Sequence, residues 1–542
     1  MKIAQRDILI VLLICGGVLF YQSYQQFPFI VDEVSYLSQP IMVRNIARTL
    51  VYLFCYALCI AAIFSLIFLK RKIFVGILAF VFVIAYTVDW VFQLLGNPVG
   101  FNLTEYELLR ETIGFAANAV EYLNLIIAGL LIAVLFVAVL CLSRRYLFPK
   151  VRSDWFLVFP VVAIAATTVA SIKVFSITPS SFPAPVKLFS VGAYYEIELL
   201  DNLRQERQPV LAAAPESDAV SNIIWVIDES ITAGYLAVNG YPKDTSPFLS
   251  ANVENEEIYN FGIVTSTAPV SKLSNELLRI GLQPKHAADF VERYYTLPTI
   301  YQYAKQAGYH TTLFDLQISN GALQNGLNTR DMSYVDTYIT ADRGLTVSLR
   351  DRHALEDLKG LLENNEKNFV VIVKWGAHWP YQSTYSEDHK IFVPALDSMF
   401  ANMVGKDRER QLNSYLNAVR HAADFYLESL MAVVDLNDSN VIYTSDHGQD
   451  LMAESKRTHG GDSNIARAVV EVPLIVFQQG AKSRYRGIDK DTQSAFQIFP
   501  TTLDWMGYDE EIVSAYGKKL DQPADPELRS FFATSQGKLQ AY

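Results

Sequence analysis

Cysteine is scarce in this 542-residue chain, and none follows Cys141. The four cysteines are Cys15, Cys55, Cys59 and Cys141, all within apolar runs. The C-terminal part can therefore hold neither a disulfide nor a zinc ion ligated by cysteine. A metal centre there would have to be built from His, Asp, Glu and hydroxyl side chains.

Basic residues are fewer than acidic residues, which gives a formal net charge of −11 at pH 7. Proteins that bind nucleic acid present a basic face to the phosphate backbone. The charge balance therefore predicts that nucleic acid is not a partner.

Long apolar runs are present, and they are concentrated before residue 176. Five of them, at about 8–28, 48–69, 73–95, 120–143 and 154–176, reach the length of roughly 20 residues that crosses a bilayer. Within the first run, the apolar stretch is followed by polar residues 21–26 with no small-residue cleavage site, which favours a retained helix over a secretory signal. The pattern predicts a transmembrane domain of about five helices in residues 1–176.

Charges in the short loops predict the orientation of these helices. Lys70, Arg71 and Lys72 separate the second and third runs, and further basic residues lie at 144–152. The alternate loops carry acids, so the basic loops are predicted to be cytoplasmic. An odd number of helices then places everything after residue 176 outside the cytoplasm. Asp89 and Glu121 fall near the outer helix ends, where they either face interfacial water or contact a lipid head group.

Residues 177–220 are predicted to be a connector. Pro179, Pro183 and Pro185 argue against regular helix at its start. Residues 194–207 have helical spacing of apolar side chains, and this segment either lies along the membrane surface or packs on the globular domain.

Strand and helix patterns alternate through residues 221–542, which are predicted to form a globular domain. The apolar strand-like runs are 223–227, 311–314, 369–374, 441–444 and 474–477, and the helical patterns are 271–281, 296–307, 349–364, 408–433 and 492–506. This alternation predicts a largely parallel sheet covered by helices, with functional residues at the carboxyl ends of the strands.

Four segments with chemically useful side chains lie at such positions. They are Asp228-Glu229-Ser230, Val264-Thr265-Ser266-Thr267-Ala268-Pro269, Trp375-Gly376-Ala377-His378 and Ser445-Asp446-His447-Gly448, the last followed by His459-Gly460. Carboxylate and imidazole side chains are common zinc ligands, and hydroxyls at a helix N-terminus favour a phosphate. Each segment alone also has an ordinary structural interpretation, such as helix capping or a structural histidine.

Together these segments resemble the phosphoethanolamine transferases of Gram-negative envelopes, a sulfatase-like branch of the alkaline phosphatase superfamily. Further similarity lies in residues 240–247, 297–309 and 499–505. The resemblance covers about residues 222–510 and implies a five-span membrane domain joined to an α/β sulfatase-like domain in the periplasm. It also implies a multi-pass protein of the bacterial inner membrane.

The resemblance implies a role for each matching residue. Glu229, Thr267, Asp446 and His447 are expected to bind Zn²⁺, with Thr267 also the nucleophile. His378 and His459 are expected to handle the donor phosphate and leaving group, or to bind a second zinc ion. The expected reaction moves phosphoethanolamine from phosphatidylethanolamine, through a covalent phospho-Thr intermediate, to lipid A, the lipopolysaccharide core or another glycan.

Two alternatives remain at this stage. A glycerol-phosphate transferase of the lipoteichoic-acid-synthase type would share the anchor and the Thr nucleophile, and a degenerate sulfatase-like domain would bind partners without catalysis. A true sulfatase is disfavoured, because it needs a Cys or Ser converted to formylglycine and followed closely by Arg. Asp228 stands where a Gly is common in the family.

Overall fold

The computed structural model divides the chain into two compact units, Met1–Arg204 and Gln205–Tyr542. It describes residues 16, 43–94, 101, 106, 123–146, 151–172, 179–202, 206–215, 219–318, 323–342, 344–364, 366–397, 408–451 and 465–542. Apart from Gly16, the predicted first span at 8–28 lies outside the described residues, as do Glu121 and His459.

The first unit is built from helices. Those described are α1 (Val43–Phe68), α2 (Lys72–Leu94), α3 (Leu123–Tyr146), α4 (Val158–Ser171, after a 3₁₀ turn at Asp154–Leu157) and α5 (Ala184–Asn202). Within the described residues, four segments are long and apolar enough to cross a membrane: Ile46–Phe68, Lys72–Leu94, Leu123–Arg144 and Asp154–Ser171. They correspond to four of the five predicted spans.

Asp89 has a partner that the sequence did not reveal. Its Oδ1 atom lies 2.5 Å from Nζ of Lys187, and both side chains are buried. The same carboxylate accepts hydrogen bonds from the Phe101 N–H and the Gln93 side chain. Both expectations for Asp89, interfacial water and a lipid head group, are therefore wrong, because the carboxylate is enclosed by its own unit.

The start of the predicted connector is also different from the expectation. Helix α5 begins at Ala184, with Pro185 in its first turn. Proline is tolerated there because the first N–H groups of a helix have no intrahelical acceptor. The helix predicted at 194–207 is the second half of α5, and α5 belongs to the first unit, where it packs against α2 and α4.

The second unit contains a seven-stranded sheet. Its strands are β1 (Asn222–Asp228), β2 (Ile258–Thr265), β3 (His310–Asp315), β4 (Thr337–Thr340), β5 (Asn368–Val373), β6 (Ser439–Ser445) and β7 (Glu471–Phe477). The spatial order is β2-β7-β6-β1-β5-β3-β4. Neighbours from β6 to β4 are parallel, whereas β7 is antiparallel to both β6 and β2. A two-stranded antiparallel sheet, β8 (Ser530–Phe532) and β9 (Leu539–Ala541), lies near the C-terminus.

The helices of this unit follow the predicted alternation. They are α6 (Pro247–Ala251), α7 (Ser271–Ile280), α8 (Phe290–Thr296), α9 (Ile300–Gln306), α10 (Thr329–Met332), α11 (Val347–Leu362), α12 (Arg408–Val419), α13 (Tyr426–Met431), α14 (Arg467–Val470), α15 (Ala481–Arg484), α16 (Ile498–Trp505) and α17 (Glu510–Ala515). The predicted helix 296–307 is shorter than expected, because Thr299 caps a new helix through a capping box with Gln302. A π-helical turn, Arg420–Phe425, joins α12 to α13.

Aromatic side chains fill the core on one face of the sheet. Trp225 of β1 packs edge-on against Phe369 of β5, with ring centroids 5.5 Å apart. The indole N–H of Trp225 donates to Oγ1 of Thr502 on α16, 2.9 Å away. These contacts fix β1 and β5 side by side, so the residues that follow the two strands emerge at one edge. The sequence predicts apolar helices followed by an α/β domain with a largely parallel sheet, and the structure confirms both.

Candidate functional site

Two neighbouring strands end side by side and bring three candidate metal ligands together. Asp228 at the end of β1 pairs in register with Ser445 at the end of β6. The residues that follow are Glu229 on one strand, and Asp446 and His447 on the other. Each of these three buried side chains offers a ligand atom, and those atoms lie within 4.8 Å of one another.

The chemistry of this cluster fits a bound cation. Oδ2 of Asp446 is buried without a hydrogen-bond partner. Burial and the adjacent charge of Glu229 raise the pKa of Asp446 well above its ordinary value. Nδ1 of His447 lies 2.8 Å from the Gly448 carbonyl oxygen, which assigns a proton to Nδ1 and makes Nε2 the nitrogen that can act as a metal ligand. That Nε2 atom lies 3.5 Å from Glu229 Oε1 and 3.7 Å from Asp446 Oδ2. Two carboxylates and one imidazole are a ligand set that suits zinc.

A serine at the start of α7 completes the cluster. Oγ of Ser271 lies 3.0 Å from Oε2 of Glu229 and 3.2 Å from Nε2 of His447. Ser271 is the first residue of α7, so the unpaired N–H groups and the positive end of the helix dipole lie next to its hydroxyl. This environment stabilises negative charge on an oxygen or a phosphoryl group.

Thr267, the expected ligand and nucleophile, is directed elsewhere. Its Oγ1 atom lies 3.1 Å from Oγ of Ser274 and 3.3 Å from the Ser274 carbonyl oxygen. Its own carbonyl accepts from the N–H of Phe532 in β8. The Thr267 side chain is 1% exposed, whereas Ser271 is half-buried. The hydroxyl that contacts Glu229 and His447 is therefore that of Ser271, which sequence reasoning missed although it predicted a helix beginning near this residue.

His378 follows β5 and interacts electrostatically with Glu229. Burial alone would raise the pKa of Glu229, but the interactions with His447 and His378 outweigh burial and lower that pKa to about 2. Nδ1 of His378 lies 2.5 Å from the carbonyl oxygen of Trp379, which leaves Nε2 for other partners. His459 lies outside the described residues, so its expected role stays a prediction.

Two further side chains hold Glu229 in place. Ser230 donates from Oγ to Glu229 Oε1 at 2.6 Å, and Gln317 donates from Nε2 to Oε2 at 2.9 Å. Ser230 has a φ of 62°, a left-handed conformation that is uncommon for a residue with a side chain. Ser230 could be found from the sequence because it is adjacent to the candidate ligand Glu229. Gln317 follows a predicted strand, but no other feature of the sequence indicated that it contacts Glu229.

Comparison with known proteins identifies the family to which this chain belongs. The sulfatase family model matches residues 221–508. The phosphoethanolamine transferase EptA of Helicobacter pylori is 27% identical over 266 residues, which are 47% of each protein. EptC of Escherichia coli strain K12 is 24% identical over 348 residues, covering 60% of this chain and 58% of the relative. The matches thus span about half to three fifths of these curated relatives.

Solved structures show the same fold. The integral membrane lipooligosaccharide phosphoethanolamine transferase A of Neisseria meningitidis superposes with a TM-score of 0.60 at 19% identity, covering 92% of this chain and 95% of that one. The periplasmic domain of Escherichia coli EptC, solved in complex with Zn, gives a TM-score of 0.50 at 19% identity over 60% of this chain and 93% of that one. This chain therefore belongs to the sulfatase family, within which the resemblance of its motifs to the phosphoethanolamine transferases is confirmed.

Proposed function

We propose that this chain transfers phosphoethanolamine from phosphatidylethanolamine to an envelope acceptor, with Ser271 as the nucleophile. The observation that carries the proposal is the position of the Ser271 hydroxyl, at a helix N-terminus and in contact with Glu229 and His447. Relatives named as phosphoethanolamine transferases, including Kdo(2)-lipid A phosphoethanolamine 7''-transferases, support this head group and an acceptor such as lipid A, the lipopolysaccharide core or another glycan.

Glu229, Asp446, His447 and the Ser271 hydroxyl would hold a zinc ion. The unpartnered Oδ2 of Asp446 supports this ligand set, as does the Nδ1 hydrogen bond of His447, which turns Nε2 toward the two carboxylates. When bound, zinc supplies a Lewis acid that lowers the pKa of a coordinated hydroxyl. Ser271 takes the role first expected of Thr267, because the Thr267 hydroxyl contacts Ser274 whereas the Ser271 hydroxyl contacts Glu229 and His447.

The reaction consists of two displacements at the same phosphorus atom. In the first, Ser271 Oγ forms a bond to the phosphorus and the bond to the diacylglycerol oxygen breaks. The Ser271 hydroxyl loses its proton and diacylglycerol gains one as it leaves. In the second, an acceptor oxygen attacks the phosphoserine, the Ser271 O–P bond breaks, and Ser271 recovers a proton while the acceptor gives one up.

His378 protonates the departing diacylglycerol oxygen in this scheme. It follows β5 at the edge of the sheet where Glu229 lies, and the bond from its Nδ1 to the Trp379 carbonyl leaves Nε2 to carry the transferred proton. His459 is proposed to assist at the donor phosphate or to bind a second zinc ion, as the family resemblance implies.

The membrane unit anchors this chemistry at the inner membrane. We place the basic loops at 70–72 and 144–152 in the cytoplasm and the sulfatase-like unit in the periplasm, where donor lipid and envelope glycans meet. The proposed domain limits are 1–176 for the membrane domain, 177–220 for the connector and 221–542 for the catalytic domain.

The test uses the full-length protein in detergent with phosphatidylethanolamine and purified lipid A. Release of diacylglycerol and the mass of one phosphoethanolamine added to lipid A are the expected products. An otherwise identical reaction with phosphatidylglycerol is the control. Transfer of glycerol phosphate from that lipid, with no use of phosphatidylethanolamine, would contradict the proposed head group.

A further inference from the structure

An ion pair is buried beside Glu229 although neither partner belongs to the metal cluster. Nζ of Lys374 lies 2.8 Å from Oδ2 of Asp228, and both side chains are fully buried. The hydroxyl of Tyr443 donates to the same carboxylate oxygen at 2.8 Å. Lys374 also donates to the carbonyl oxygen of Ala422 in the π-helical turn. The pair therefore joins the ends of β1 and β5 to the helix that follows α12.

Both partners of the pair are linked to Glu229, Asp228 by a direct hydrogen bond and Lys374 through Gln317. Oδ1 of Asp228 accepts from the Glu229 N–H at 3.0 Å. The carbonyl oxygen of Lys374 accepts from Nε2 of Gln317 at 2.9 Å, and the same amide donates to Glu229 Oε2. Asp228 thus holds the backbone of Glu229. Lys374 holds the Gln317 side chain, which orients the Glu229 carboxylate.

The segment after β5 lies directly against this arrangement. Gly376 has a φ of 58°, and a Cβ atom there would lie 2.3 Å from Asp228 Oδ1 and 2.5 Å from the Glu229 nitrogen. The next N–H, that of Ala377, donates to the Glu229 carbonyl oxygen at 2.9 Å. His378 follows immediately, so the contacts that fix the Glu229 backbone also fix the start of the segment carrying His378.

Stability alone gives no reason for this pair. A buried ion pair can usually be replaced by apolar side chains of similar size without loss of stability, because the cost of desolvating both charges offsets their attraction. We propose that the Asp228–Lys374 pair is a positioning device, which holds Glu229 in the orientation that binds metal and sets its spacing from His378. This inference rests on the proposed function, in which Glu229 is a zinc ligand.

The test replaces both charges at once. The full-length Asp228→Leu/Lys374→Met protein, in detergent and stripped of metal, is titrated with Zn²⁺ against a chromophoric chelator, and its thermal unfolding midpoint is recorded. The matched control replaces a second buried pair of the same unit, Arg207–Asp331, whose N–O distance is 2.9 Å, with Met and Leu. We expect a zinc Kd weakened about tenfold or more in the test variant, the usual effect of losing groups that orient a metal ligand, and an unchanged Kd in the control.

Wild-type zinc affinity in a folded Asp228→Leu/Lys374→Met protein would overturn the proposal. If that variant does not fold, Tyr443→Phe decides, since it removes one hydrogen bond to Asp228 without changing shape or charge. A Kd weakened about threefold or more supports the proposal, and an unchanged Kd overturns it. Glu229→Gln is measured in parallel. Zinc binding that survives Glu229→Gln, or is absent in the wild type, contradicts the proposed metal site itself and the positioning role with it.

Discussion

Oγ of Ser271 lies 3.0 Å from Oε2 of Glu229. This contact joins the first turn of α7 to the end of β1, and it brings a half-buried hydroxyl to the candidate metal ligands. The neighbouring hydroxyls at residues 265–267 are buried at the end of β2 and in the loop that follows it. We therefore propose that the reactive hydroxyl lies at the N-terminus of α7.

Ser271→Ala should lower kcat for phosphoethanolamine transfer at least about a thousandfold, because the covalent step loses its nucleophile. Ser271→Thr should retain measurable activity, since it keeps a hydroxyl at the same backbone position. Initial rates of diacylglycerol release from phosphatidylethanolamine provide the measurement.

Thr267→Ala is the matched control, since it removes a hydroxyl from the same loop that contacts Ser274 and not the metal ligands. We expect its kcat to remain within about tenfold of wild type, with a stability loss of about 1 kcal/mol for one hydrogen bond. Loss of transfer in Thr267→Ala together with near-normal rates in Ser271→Ala would return the nucleophile to Thr267.

Metal content should depend on the three clustered side chains. Purified protein should contain zinc, and Asp446→Asn should remove most of both the zinc and the activity, because an amide cannot replace the charge of a carboxylate ligand. Zinc at a hundredfold excess over its Kd should stabilise the wild type by about 2.7 kcal/mol, seen as a higher unfolding midpoint. Full zinc occupancy in a Glu229→Ala/Asp446→Asn/His447→Ala variant would exclude this site.

Much of this site could be predicted from the sequence, because it lies at strand ends. Apolar runs of 4–8 residues identify buried strands, and charged residues directly after them are conspicuous. Asp446 and His447 are adjacent in the chain, so a single prediction located both. Parallel order in the sheet then brings Glu229 to the same edge.

The contacts across the chain could not be predicted in this way. Lys374 is separated from Asp228 by 146 residues, and nothing local indicates that they form a pair. The choice between Thr267 and Ser271 depends on which residue begins α7 and how the loop turns, which a string of hydroxyl residues does not specify. Strand β2 was missed because it includes Asn260 and Gly262 and lies at the edge of the described sheet, next to β7.

Orientation in the membrane provides a prediction independent of the chemistry. A periplasm-specific reporter fused after residue 220 should be active, and a cytoplasm-specific reporter at the same point should be silent, because we propose that the basic loops at 70–72 and 144–152 face the cytoplasm. Fusions within residues 70–72 should give the reverse pattern. Activity of the cytoplasmic reporter after residue 220 would refute the topology.

Acid should destabilise the protein through His421, which lies in the π-helical turn. Burial lowers its pKa to about 4 from an ordinary 6.5. Nε2 lies 3.0 Å from the Ser348 carbonyl oxygen, and Nδ1 is buried without a partner. Between pH 6.5 and 4, His421 is therefore protonated in the unfolded chain but neutral in the folded chain. Protonation favours the unfolded state, so the free energy of unfolding falls as pH falls through this window, by up to about 3 kcal/mol.

His421→Leu should reduce the fall in unfolding midpoint between pH 7 and pH 4 relative to wild type. His353→Leu, at an exposed histidine of α11, should leave the wild-type pH dependence intact. Identical pH profiles for wild type and His421→Leu would show that His421 does not contribute to acid sensitivity.

The central claim is that Ser271 carries the transferred group, and a covalent adduct tests it most directly. Full-length protein loaded with zinc is incubated with phosphatidylethanolamine in the absence of acceptor, and its peptides are fragmented in a mass spectrometer. We expect one added phosphoethanolamine, located on Ser271 and absent from the Ser271→Ala protein. An adduct located on Thr265, Ser266 or Thr267, or transfer to lipid A by Ser271→Ala at the wild-type rate, would contradict the account.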